Sequence, residues 1–125
     1  MFFLVWKQIL SHFFLKFLEQ HIKKNDIPIL FDKATDGHIA VEKAKKEKYD
    51  AILMNLEMPV MDGWRATKLI RVFDTTTPII AWSAHRKYFF LQECLDIGMN
   101  DYAQIDIGDF LTEIFDALER VGVKV

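Results

Sequence analysis

The run Tyr49-Asp50-Ala51-Ile52-Leu53-Met54-Asn55-Leu56-Glu57-Met58-Pro59-Val60-Met61-Asp62-Gly63 decides how the rest of the chain is read. Ala51 to Met54 is apolar at every position, which is the pattern of a strand buried on both faces; a half-exposed strand would alternate. Past the strand end at Asn55 to Glu57, Asp62-Gly63 opens a helix. Asp62 is the residue type that accepts a first-turn N–H as an N-cap, and Ala66, Leu69, Ile70 and Phe73 follow at helical spacing.

The same strand-then-helix unit repeats in both directions. Phe2 to Trp6, Ile27 to Phe31, Pro78 to Trp82 and Tyr102 to Ile105 are further runs of strand length. Ile9, Leu10, Phe13, Phe14, Phe17, Leu18 and Ile22 form one amphipathic helix, and Ala40, Val41 and Ala44 form another behind a second N-cap, Asp36. Phe90, Leu91, Cys94 and Leu95 lead to Gly98, a left-handed helix stop, and Phe110, Leu111, Ile114, Phe115 and Leu118 repeat the spacing near the C-terminus. Alternation of this kind predicts an α/β fold: a flavodoxin-like (βα)5 doubly wound five-stranded parallel sheet, strand order 2-1-3-4-5, in a single domain over residues 1–125. In such sheets ligands bind beyond the carboxyl ends of the strands. The residues placed there are Trp6 and Lys7, Asn55 to Glu57, Ser83 to His85, and Ile105 with Asp106.

Composition narrows the function classes. At 125 residues, 51% apolar with 11 Phe and 3 Trp, the chain has material for one core, and disorder is excluded. Lys plus Arg is 16 against 18 Asp plus Glu, a net charge of -2, so no basic stripe for nucleic acid and no acidic tail stands out. Cys94, the single cysteine, has no partner for a disulfide or a thiolate metal site, and a cytoplasmic location is expected. The apolar start Met1 to Trp6 is interrupted by Lys7, His12, Lys16 and Glu19 with no small-residue cleavage site, and no stretch reaches the roughly 18 apolar residues of a membrane span.

The string Tyr49 to Gly63 resembles the centre of the response-regulator receiver domain, the chemotaxis-type module of two-component signalling. Pro78-Ile79-Ile80-Ala81-Trp82-Ser83-Ala84 resembles that family's fourth strand, and Gly98-Met99-Asn100-Asp101-Tyr102 the entry to its fifth. With Asp36-Gly37 opening the second helix, the resemblance covers essentially the whole chain. It implies a pocket in which an aspartate takes a phosphoryl group from a histidine kinase, an acidic pair after the first strand holds magnesium, and a Thr or Ser and a lysine complete the phosphate cradle.

This sequence departs from that pattern. Asn55 stands at the acceptor position, Trp6 and Lys7 on the acidic pair, Ile105 at the lysine and Asp106 at the proline after it; of the cradle, only Ser83 remains. Trp6, Lys7, Asn55, Glu57, Ser83 and Ile105 are therefore expected to form a degenerate phosphorylation pocket with no catalytic residue, metal or cofactor. The Lys7 ammonium, near Asn55 and Glu57, is expected to occupy the charge position of magnesium. Simple packing is the leading account of two of these residues: Asn55 hydrogen-bonds the strand-end loops, and Trp6 fills space the acids vacate. His12, His21 and His38 lack metal-ligand spacing, and the lysines from Lys43 to Lys48 form a solvated helix end.

The resulting expectation is a pseudo-receiver: a non-enzymatic signalling domain that acts through protein contacts without phosphorylation. Tyr88 and Phe89 on the fourth helix, with Tyr102 on the fifth strand at the family's switch aromatic, are expected to offer the surface to a protein partner, a signalling kinase or output protein, or to a second copy. Nucleic acid and membrane are not expected partners. The alternatives are a switch that binds a small ligand between Trp6, Asn55 and Ser83, a minor hydrolase using Ser83 and His85, and a phosphoacceptor at Asp101 or Asp106.

Overall fold

Strand and helix alternate as β1 (Phe2–Trp6), α1 (Ser11–Lys24), β2 (Leu30–Ala34), α2 (Gly37–Lys46), β3 (Ala51–Asn55), α3 (Gly63–Phe73), β4 (Ile79–Ser83), α4 (Lys87–Asp96), β5 (Asp101–Gln104) and α5 (Phe110–Arg120). The computed structural model describes residues 2–6, 11–27, 29–56, 61–104 and 110–123, with side chains from residue 16 onward other than those of residues 31 and 110. The strands form one parallel sheet in the order β2-β1-β3-β4-β5, the doubly wound arrangement expected from the sequence.

The continuous apolar run of β3 is explained by its central place in the sheet. Ile52 and Met54 enter the layer under α2, α3 and α4 with Ala40, Ile70 and Cys94, while Ala51 and Leu53 enter the opposite layer with Leu18, Ile114 and Leu118. Both faces are covered, so no position on the strand is left for a polar residue until Asn55. Each fully buried Ile or Leu side chain contributes on the order of 1.5–3 kcal/mol of transfer free energy.

The two predicted N-caps are present: Asp36 accepts from the Ile39 N–H at 2.9 Å and Asp62 from the Arg65 N–H at 2.8 Å. Gly98 ends α4 with φ of 109°, a conformation a side chain disfavours. The amino edge of the sheet is closed by Arg71, which donates to Gly98 O at 2.8 Å, Asp74 O at 3.0 Å and Asn100 Oδ1 at 2.9 Å. Asn100 Oδ1 also accepts the Ile79 N–H at the start of β4, at 2.9 Å.

Three sequence expectations are corrected. The second strand is Leu30–Ala34, not Ile27 to Phe31. The chain turns as it leaves α1, with Asp26 at φ of 54° and the Ile27 N–H donating to Ile22 O. β2 is an edge strand, so it tolerates Asp32 and Lys33, and Asp32 is held by Lys43 Nζ at 2.5 Å and the Tyr49 hydroxyl at 2.6 Å. Leu95 on α4 and Leu69 and Phe73 on α3 lie at the rim, 41%, 37% and 41% exposed, where an inner stripe was expected. Ala66, Thr67 and Ile70 face inward instead, and Phe73 lies beneath the Lys45 ammonium, 5.9 Å from its ring centre.

Candidate functional site

Parallel register brings the strand ends together. Asn55 pairs with Trp82, Ser83 with Gln104, and β1, which ends at Trp6, lies on the other side of β3. Asn55 and Ser83 are buried at the ends of adjacent strands, 3% and 4% exposed. Gly63 is packed onto this edge: its N–H donates to Leu56 O at 3.1 Å, and a Cβ there would overlap Asn55 O and stand 3.0 Å from its carbonyl carbon. Only a glycine lets the start of α3 come this close to the end of β3.

The β4–α4 corner is held by side chains from two strands. Ser83 Oγ accepts the His85 N–H at 3.1 Å, and the Tyr102 hydroxyl donates to His85 O at 2.8 Å. The His85 ring meets Phe90 edge-on, with centres 5.3 Å apart, and Trp64 tilts against the same Phe90 at 6.3 Å. Gln104 Oε1 accepts the N–H of Lys87, the first residue of α4, at 3.0 Å.

The chemistry available here is limited. The strand ends Trp6, Asn55, Ser83 and Gln104 carry no carboxylate, and the flanking acids Asp36 and Asp62 cap helices. A carboxamide is neither a nucleophile comparable to a carboxylate nor an anionic ligand for a hard cation. Among the described residues no group of three or more His, Cys, Asp and Glu gathers as a metal site. Cys94 is no substitute nucleophile: burial, with help from Glu93, pushes its thiol up to about 12.

The sequence model described as response regulator receiver domain matches residues 11–108. The chain belongs to this family. Its receiver domain is 38% identical over 104 residues to hybrid signal transduction histidine kinase B of Dictyostelium discoideum, a match over 71% of this chain and 5% of that one. It is 46% identical over 68 residues to the histidine-protein kinase BarA of Escherichia coli K12, covering 53% of this chain and 7% of BarA. The chain thus spans a small part of the curated relatives it matches. Among solved structures, the receiver domain of sensor histidine kinase PA1611 from Pseudomonas aeruginosa, crystallised with magnesium in its active-site cleft, is 27% identical with a TM-score of 0.77 over 97% of both chains. The chemotaxis protein CheY4 of Vibrio cholerae, at 24% identity, a TM-score of 0.78 and coverage of 96% of this chain and 97% of that one, shares the fold.

The structure brings together some of the predicted site residues of this receiver domain. Asn55 and Ser83 are neighbours on the carboxyl edge, and Trp6 ends β1 on the same edge, although its side chain lies outside the described residues. Lys7, Glu57, Ile105 and Asp106 also lie outside them, and with them the expected Lys7 contact. Tyr88 and Phe89 are exposed on α4, 89% and 65%, as expected, and their rings meet edge to face with centres 5.5 Å apart.

One expectation changes, and one alternative residue is already occupied. Tyr102 is not part of the exposed aromatic patch: it is fully buried with its hydroxyl on His85 O, because β5 faces it into the layer beneath α4. Asp101, the alternative phosphoacceptor outside the pocket, is engaged by cations away from Asn55 and Ser83. It begins β5, at the opposite edge from Ser83, and is taken up by Arg120 Nε at 2.5 Å, the Tyr102 N–H at 2.7 Å and Lys87 Nζ at 3.4 Å. Burial alone would raise its pKa, but these donors outweigh burial and hold it below the usual carboxylate range.

Sequence reading missed Gln104. The available signal was Arg86 ahead of the fourth helix, where Ser, Thr, Asp or Asn would cap; Arg86 makes no side-chain cap bond. It also missed two buried polar atoms that have no hydrogen-bond partner among the described residues, Thr67 Oγ1 and Trp82 Nε1.

Proposed function

We propose that this receiver domain signals without an aspartyl phosphate, offering one constant surface to a protein partner instead of switching by covalent relay. The observation that carries this reading is Asn55, an uncharged amide buried at the end of β3 where the family's resemblance calls for the acceptor carboxylate. The departures at Trp6, Lys7 and Ile105 point the same way, since together they remove the magnesium acids and the phosphate cation. The domain acts as a non-enzymatic module of two-component signalling in the cytoplasm.

The partner is a signalling kinase or an output protein, met through the outer side of α4 and the adjoining β5, with Tyr88 and Phe89 as the apolar anchor. A domain held in its binding-competent state loses no affinity to a minor-state population, so such contacts need no phosphorylation. Sedimentation at increasing concentration tests a second copy as the partner.

The decisive experiment is incubation of the protein with magnesium and acetyl phosphate, followed by intact-mass measurement. The expected result is no phosphoryl adduct at concentrations that label a phosphorylatable receiver run alongside. An adduct that maps to residue 55 would overturn the proposal.

A further inference from the structure

Helix α4 starts without a cap of its own. Arg86 precedes it and makes no side-chain bond to the first turn, so the amides of Lys87 and Tyr88 depend on other partners. One comes from another element: Gln104 Oε1, at the end of β5, accepts the Lys87 N–H at 3.0 Å. Gln104 is in register with Ser83, so the residue that holds the helix belongs to the same sheet edge as Asn55. The two residues after Lys87 are the exposed pair Tyr88 and Phe89.

We infer that Gln104 is the positioning residue of the α4 partner face: its amide oxygen replaces the missing N-cap and sets the pose of the Tyr88–Phe89 pair. This rests on the proposed role of that face. Geometry favours the assignment because Gln104 and Tyr102 project from the same side of β5, two residues apart, and hold successive parts of one corner, Lys87 N and His85 O. Tyr102 fixes the loop before the helix. Gln104 fixes the helix itself, and an acceptor at a helix amino terminus also meets the positive end of its dipole.

The test is amide exchange by NMR on the full chain, comparing Gln104→Leu and Gln104→Glu with the parent. The leucine variant keeps the side-chain bulk and removes the acceptor, whereas the glutamate variant keeps an acceptor. Gln104→Leu is expected to speed exchange at Lys87 by about fivefold, the factor that corresponds to a lost N-cap. It is also expected to move the ring signals of Tyr88 and Phe89 while leaving the amides of Ile70 in α3 and Leu118 in α5 unaltered. Gln104→Glu is expected to match the parent at all of these positions. Should the leucine variant not fold, Gln104→Ser, which is polar but too short to reach Lys87, carries the same expectation. The inference is overturned by unchanged Lys87 exchange, by unmoved ring signals, by equal loss of protection in α3 and α5, or by a glutamate variant that behaves like leucine. These readouts do not depend on whether residue 55 accepts phosphate, so the inference and the pocket reading fail separately.

Discussion

The α-carbon of Gly63 packs so closely on the main-chain carbonyl of Asn55 that a single added carbon would overlap its oxygen and stand 3.0 Å from both the carbonyl carbon and Met54 Cγ. Both main-chain partners belong to a central strand, which cannot retreat without disturbing its hydrogen bonds to β1 and β4. Gly63→Ala is therefore expected to destabilise the fold by about 1–3 kcal/mol, the range for overpacking a well-filled site. Urea denaturation reads it directly. A loss below about 0.5 kcal/mol, the size of an ordinary surface substitution, would show that α3 can shift away at little cost.

Restoring the acceptor alone is expected not to restore phosphorylation. Asn55→Asp supplies the nucleophile, but Trp6 and Lys7 still stand at the sequence positions of the magnesium acids, and charge on the transferred phosphoryl group would remain uncompensated. Intact-mass measurement after acetyl phosphate and magnesium is expected to show the unmodified variant. Efficient labelling of this single mutant would mean that phosphoryl transfer in this domain does not need the acidic pair.

Thr67 presents a stabilising opportunity. Its side chain is fully buried on α3, and its hydroxyl has no hydrogen-bond partner among the described residues. Thr67→Val replaces that hydroxyl by a methyl group of similar size and removes a desolvated polar atom, with an expected gain of about 1 kcal/mol. An unchanged or lowered urea midpoint would show that the hydroxyl is satisfied in solution, for instance by water. Trp82 Nε1 offers no such exchange, because removing the indole would leave a cavity in the layer under α1 and α5.

Asp74 links stability to acid. Burial works to raise its pKa, but the Thr77 hydroxyl, the Thr77 and Thr76 N–H groups and Lys48 together donate more strongly and hold it far below the carboxylate range. A pKa depressed in the folded state gives stability that is complete above the unfolded value of about 4 and is lost as pH falls towards the folded one. The parent is thus expected to exceed Asp74→Asn in stability at neutral pH, with the gap closing below about pH 4. Urea midpoints for both proteins between neutral pH and pH 3 check this, and a gap that stays constant or widens on acidification contradicts it.

How far the sequence could be read depended on how local the cause was. Ala51 to Met54 announced a doubly covered strand, Asp36 and Asp62 announced their caps, and Gly98 its helix stop, since each depends on residues within one turn or one pleat. Strand order 2-1-3-4-5 followed from alternation and the handedness of crossovers. β2 was misplaced because an edge strand needs only one neighbour and can carry Asp32 and Lys33, so apolar content does not mark it.

The residue types at the candidate site, Asn55 and Ser83 above all, were likewise legible in the chain itself, because identity decides whether a strand end can offer a carboxylate. Tertiary structure alone decided that Tyr102 turns inward to His85, that Asp101 is drawn to Arg120 at the far edge, and that Gln104 caps a helix seventeen positions earlier. These contacts join segments far apart in sequence whose meeting is set by strand register, and register is a property of the assembled sheet that no short stretch of side chains encodes.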